Sequence, residues 1–122
     1  MTYESDIDKI LKAIGRPVKF HFPPPEGSRE GILKDRSVIP SDPSTSGVLY
    51  WDVVDLIIFR EEEEKEWIRI GYYRKPKDKL VFAGQTTITE PIRNWKRILT
   101  QAAKEKLWFR KLLLEVVMEL DK

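Results

Sequence analysis

At 122 residues with a formal net charge of +2, the chain is long enough for one hydrophobic core and too short for two ordinary domains, so residues 1–122 are read as one domain. It has no Cys and one His, which excludes disulfides, cysteine-ligated metals and the usual histidine metal clusters. No catalytic signature, metal site or cofactor motif is expected.

No run of 18 apolar residues is present, so no membrane span is expected. The N-terminus is acidic and amphipathic, unlike a signal peptide, and a cytoplasmic location is the default expectation. One Asn, two Gln and no Cys beside abundant Glu, Lys and Arg give a thermophile-like composition. The small net charge hides an asymmetry. Residues 1–65 carry 9 basic and 13 acidic side chains, whereas residues 66–122 carry 13 basic and 7 acidic.

The first element reads as a helix. Ser5 caps it, Asp6 and Asp8 suit the positive end of its dipole, and Ile7, Ile10, Leu11 and Ile14 share a face. Gly15 and Pro17 end it. Val18, Phe20 and Phe22 then alternate with Lys19 and His21 as a half-buried strand. Pro23–Pro25 stop it, and the run to Ser28 reads as a stiff polyproline-like connection. A second strand covers Gly31–Ile39, with mixed faces: Ile32, Lys34, Arg36 and Val38 on one, Leu33, Asp35, Ser37 and Ile39 on the other. Residues 40–47 form a loop by composition. Val48–Phe59 is the longest strand signal, and its second half is apolar on both faces, as a covered central strand requires. Glu61–Glu66 is an acidic turn. Trp67–Arg74 and Lys79–Thr87 read as two more strands around a basic turn. Short links between sequential strands favour an antiparallel meander.

Thr89, Glu90 and Pro91 supply a helix start. From Ile92 onwards there is neither Gly nor Pro, and apolar residues keep a spacing of three or four. An unbroken helix of about 30 residues would be roughly 45 Å long, against roughly 35 Å for a compact domain of this size. Either the helix breaks near Lys104–Lys106, or its end projects and pairs with another chain. The fold class is therefore α+β: an N-terminal helix, a five-stranded curved antiparallel sheet or small open barrel, then one long or two consecutive C-terminal helices. These helices are expected on the concave or open side of the sheet.

The candidate interaction surface is a basic band interleaved with aromatics: Trp67, Arg69, Tyr73, Lys75, Lys77, Lys79, Arg93, Lys96 and Arg97. Phosphate attraction beside stacking rings is what a single-stranded nucleic acid needs. The same residues also suit a core face plus a solvated, ion-paired surface. Asp52 and Asp55 are three apart on a strand and so face opposite ways. A shielded Asp55 needs a partner, which Arg36 or Arg69 can supply. His21 lies opposite Phe20 and Phe22, and without a recognisable nucleophile it reads as a plain exposed histidine. Asp55, Tyr72, Gln85 and Thr87 form a candidate pocket under the C-terminal helices. The apolar stripe from Trp108 to Leu120 is a core face and also a candidate homodimer face.

These observations predict a non-enzymatic interaction module that presents a basic surface to an acidic protein or a nucleic acid. The alternative is a small-molecule-binding domain or minor enzyme with a pocket between the sheet and the C-terminal helices.

Overall fold

The computed structural model describes residues 5–41, 47–83 and 88–122. Helix α1 (Asp6–Leu11) leads into strands β1 (Pro17–His21), β2 (Ser28–Pro40), β3 (Leu49–Ile58), β4 (Glu66–Lys75) and β5 (Val81–Phe82). Helices α2 (Ile92–Glu105) and α3 (Leu107–Leu120) follow. The five strands form one sheet in sequence order, each antiparallel to the next.

Local chemistry sets the early elements. The Ser5 hydroxyl accepts the Asp8 N–H at 3.1 Å and starts α1. The helix ends at Leu11, a turn earlier than its apolar spacing suggests. Gly15, at φ 91°, then turns the chain so that its N–H reaches the Leu33 carbonyl at 2.7 Å. The proline run is a tight hairpin rather than an extended connection. Phe22 N–H bonds Gly27 C=O at 3.1 Å, and His21 pairs with Ser28.

The sheet curls strongly. In a flat sheet, β1 and β5 would lie about 19 Å apart, four strand spacings. Here the Arg69 guanidinium stands 5.7 Å from the Phe20 ring on β1 and 4.8 Å from the Phe82 ring on β5. One side chain touches both edges, so the face carrying Arg69 is concave and the sheet is a half-barrel. Gly71, on the same face of β4, makes room for this closure, because a Cβ there would stand 3.0 Å from the Phe82 ring.

Strand β2 reaches both faces through a bulge. Leu33 pairs with Ile57 and Asp35 with Leu56, so Lys34 is an extra residue without a partner of its own. The mixed alternation of the sequence is thereby resolved. Leu33, Arg36 and Val38 face inward with Ile57, Asp55 and Val53, whereas Asp35, Ser37 and Ile39 face outward.

The inner face is filled by Leu33, Trp51, Val53, Ile57 and Phe59, and Ile10 of α1 closes one end. The outer face packs Ile39 and Val54 on Ile98, Ala102 and Phe109 of α2 and α3. The C-terminal helices therefore lie on the convex face, not on the concave or open side. The reason is α1, which together with the rings of β1 and β5 already occupies the inside. The long apolar tail is two helices, broken at Lys106, whose backbone is extended (φ −124°, ψ 115°). Asp35 holds both sides of the break: it accepts Lys106 Nζ and Trp108 Nε1, each at 2.9 Å. These bonds and its backbone partner Arg36 outweigh its burial and lower the Asp35 pKa. Among the described residues, no helix is long and apolar enough to cross a membrane.

Candidate functional site

The middle of the inner face holds three charges. Asp55 is fully buried. Arg36 reaches it from β2 with Nε at 2.6 Å and Nη2 at 3.0 Å, a two-point pairing that fixes both planes. Arg69 reaches it from β4, with Nε at 3.1 Å and Nη2 at 2.9 Å from the same Oδ2. Both partners anticipated for Asp55 are present together, because Arg36 and Arg69 are its cross-strand neighbours on either side. Arg36 also donates to the Ile10 carbonyl at 2.9 Å and to the Tyr73 hydroxyl at 2.8 Å. Burial works against its charge, but Asp55 and Tyr73 offset it and hold its pKa above the ordinary value.

The two arginines differ in what they have left to offer. Every nitrogen of Arg36 is engaged. Arg69 uses Nε and Nη2, and its Nη1 has no hydrogen bond among the described residues. Its guanidinium, flanked by Phe20 and Phe82, borders an open groove of about 840 Å3. All seven residues from Arg16 to Phe22 line this groove, together with Leu33, Arg36, Tyr73, Phe82 and Ala83. Residues of both faces of β1 line this space, as an unpaired edge strand allows, and β1 and β5 are the two edges of the sheet. The groove is therefore the open seam of the half-barrel, between β1 and β5. Its described lining holds Arg16, Lys19, Arg36, Arg69 and His21, with no carboxylate. A second groove, of about 550 Å3, has the opposite character, with Glu30, Glu61 and Glu62 beside Arg29 and Arg60.

The predicted band is divided between two faces. Trp67, Arg69, Tyr73 and Lys75 share the inner face of β4 by their alternation. Trp67 is 40% exposed, and its indole N–H donates to the Glu64 carbonyl at 2.7 Å. Lys75 is bound to Asp6 of α1 at 3.1 Å. Lys77 and Lys79 are exposed in the β4–β5 turn. Arg93 and Lys96 are exposed on α2, whose packing places it against the outer face. Arg97 is half-buried there, 3.5 Å from the Ser41 hydroxyl.

The pocket proposed under the helices needs correction. Asp55 pairs with Arg69 on the inner face, whereas Tyr72 pairs with Asp52 and stacks with Tyr50 on the outer one. Residues 69 and 72 are three apart, so their side chains diverge and Asp55 and Tyr72 cannot line one cavity. Gln85 and Thr87 lie outside the described residues. Among the described residues, the His21 side chain bonds only Ser28, with Nδ1 2.8 Å from its hydroxyl oxygen.

Asp52, also buried, faces α2. Burial first, then the neighbouring Glu90 carboxylate, raises its pKa to about 7, and Arg97 pulls the other way. Among the described residues, no cluster of three or more His, Asp or Glu is arranged to hold a metal ion.

Sequence reasoning missed Arg16, Lys19, Phe20, Phe22 and Phe82 as site residues. The available signal was the cation–aromatic interleaving of β1, a weaker copy of the one noticed on β4. Comparison with family models, curated proteins and solved structures finds no match to this chain.

Proposed function

We propose that this chain is a non-enzymatic binding module that holds single-stranded nucleic acid along the seam between β1 and β5. The observation that carries the reading is the composition of the seam: cations and aromatic rings with no acidic side chain among its described lining residues. Arg16 and Lys19 stand exposed at its lip, and Arg69 offers its remaining N–H edge from within. Phosphates would meet these cations, and bases would stack on Phe20, Phe22 and Phe82, which are half-buried and so keep part of their ring surface open. Lys77 and Lys79 extend the positive potential past the end of β4.

Fluorescence anisotropy with a labelled single strand of about 10 nucleotides tests this. With roughly three phosphates neutralised, the logarithm of the affinity should fall with the logarithm of salt at a slope near −2. Arg16→Glu with Lys19→Glu changes only exposed side chains and should weaken binding at least tenfold. Binding that ignores salt or survives this double change overturns the reading. An acidic peptide that binds more tightly than the oligonucleotide transfers the seam to a protein partner.

A further inference from the structure

Helix α3 carries more apolar surface than its own fold covers. Phe109 is buried, and Trp108 and Leu113 are packed beside it. On the rest of the helix, Leu107 is 80% exposed, Leu114 55% and Met118 66%, and Leu112, Val116, Val117 and Leu120 are exposed at other angles around it. Residues 107, 114 and 118 are spaced by seven and four, so the three form one stripe along the helix. At 100° per residue this stripe points away from Phe109, and hence away from the sheet. It presents on the order of 400 Å2 of apolar area, within the range of the largest patch on a single chain. With its charged rim it approaches the roughly 800 Å2 that each partner contributes to an ordinary interface.

The rim indicates what covers it. Arg110 and Lys111 flank the stripe at its N-terminal end, and Glu115 and Asp121 flank it towards the C-terminal end. Arg110 and Asp121 fall on one flank, Lys111 and Glu115 on the other. Two such helices laid parallel would bring like charges together. Laid antiparallel, with a two-fold axis near Leu114, they place Arg110 beside the second copy's Asp121 and Lys111 beside its Glu115. The stripe is then self-complementary in shape and in charge, as a two-fold interface requires.

We propose that α3 docks antiparallel on α3 of a second copy of this chain, with Leu107, Leu114 and Met118 at the centre of the interface. The proposal rests on the helix alone and is independent of what the seam binds. It also leaves the seam open in both copies, because the seam and α3 lie on opposite faces of the sheet.

Sedimentation equilibrium of the whole chain is the test. The wild type should sediment near twice 14.4 kDa at tens of micromolar, with a dissociation constant of about 10 μM or tighter. Leu114→Glu changes an exposed residue and should weaken association at least tenfold, while the circular dichroism of the monomer stays native. Arg110→Glu should also weaken it, and adding Asp121→Arg should restore it. A wild-type monomer at these concentrations overturns the proposal. A dimer indifferent to Leu114→Glu places the interface elsewhere. A dimer weakened by Leu114→Glu but not rescued by the charge exchange overturns the antiparallel arrangement.

Discussion

Arg36 is the residue on which three elements meet. Its guanidinium joins Asp55 of β3, Tyr73 of β4 and the Ile10 carbonyl of α1. That carbonyl lies in the last turn of a short helix, where carbonyls lack intrahelical partners and the dipole favours a cation. Arg36→Met removes a charged donor from the helix end and leaves Asp55 dependent on Arg69 alone, and should cost about 3–5 kcal/mol. Arg69→Met should cost less, because its side chain is 17% exposed and Arg36 still holds Asp55 at two points. Urea denaturation of the two variants checks this order, and equal midpoints would contradict it. Asp52 makes a separate prediction. Its pKa is raised from 3.8 to about 7 in the fold, so between these values the folded state holds a proton that the unfolded chain has lost. Stability should therefore be fully present below about pH 4, decline as pH rises towards 7, and level off above it. Asp52→Asn should flatten that decline and raise the melting temperature at pH 8. Asp35, with a lowered pKa, acts in the other direction and below its ordinary range, so the two windows do not overlap.

At the scale of elements, the bulge in β2 and the break before α3 share a cause: each lets an apolar or charged side chain reach the face that suits it. Lys34 is the extra residue, and without it Leu33 and Asp35 would still alternate correctly. Deleting Lys34 should leave a folded protein, less stable by about 1–2 kcal/mol because the bulge contributes twist and bend. Deleting Ser37 shifts the register by one and turns either the inner or the outer set of side chains to the wrong side. That variant should fail to fold, and thermal melts of both deletions test the contrast. The β2 alternation was legible as mixed, but its reason was not. A bulge without Gly leaves no local mark, and only pairing with β3 reveals it. The helix break was legible as one of two alternatives, since length against domain size allowed either a break or a projecting end. Its location at Lys106 depended on Asp35, 71 residues away, holding Lys106 and Trp108 together.

Across the whole molecule, part of the charge asymmetry is an internal matching. Lys75 holds Asp6, Arg69 holds Asp55, and Lys106 holds Asp35. Each joins a cation of the basic C-terminal part to a carboxylate of the acidic N-terminal part. The basic band of the sequence is correspondingly thinner on the folded surface than a count suggests. Arg69 and Lys75 contribute to the interior balance before they contribute to any partner. The cations left exposed near the seam include Arg16 and Lys19, which precede the basic half of the chain altogether. This is why the salt slope expected for nucleic-acid binding is shallow, near −2, rather than that of a strongly basic protein.

What the sequence determined by itself is local. Cap and turn residues, strand alternation and helical spacing depend on neighbours within a few positions. They placed α1, the five strands in antiparallel order, one or two helices after them, and the opposition of Asp52 and Asp55. The need of a shielded Asp55 for an arginine also followed from chemistry alone. Only the tertiary structure decided which face is concave, that the C-terminal helices lie outside, and that β1 and β5 border one seam. Those outcomes depend on twist, a bulge and ring packing accumulated across five strands. Their effect is to bring Phe20 and Phe82, 62 positions apart, to the same guanidinium. No window of sequence contains that distance, so the pocket inferred under the helices had the wrong side of the sheet while its central carboxylate was correctly paired.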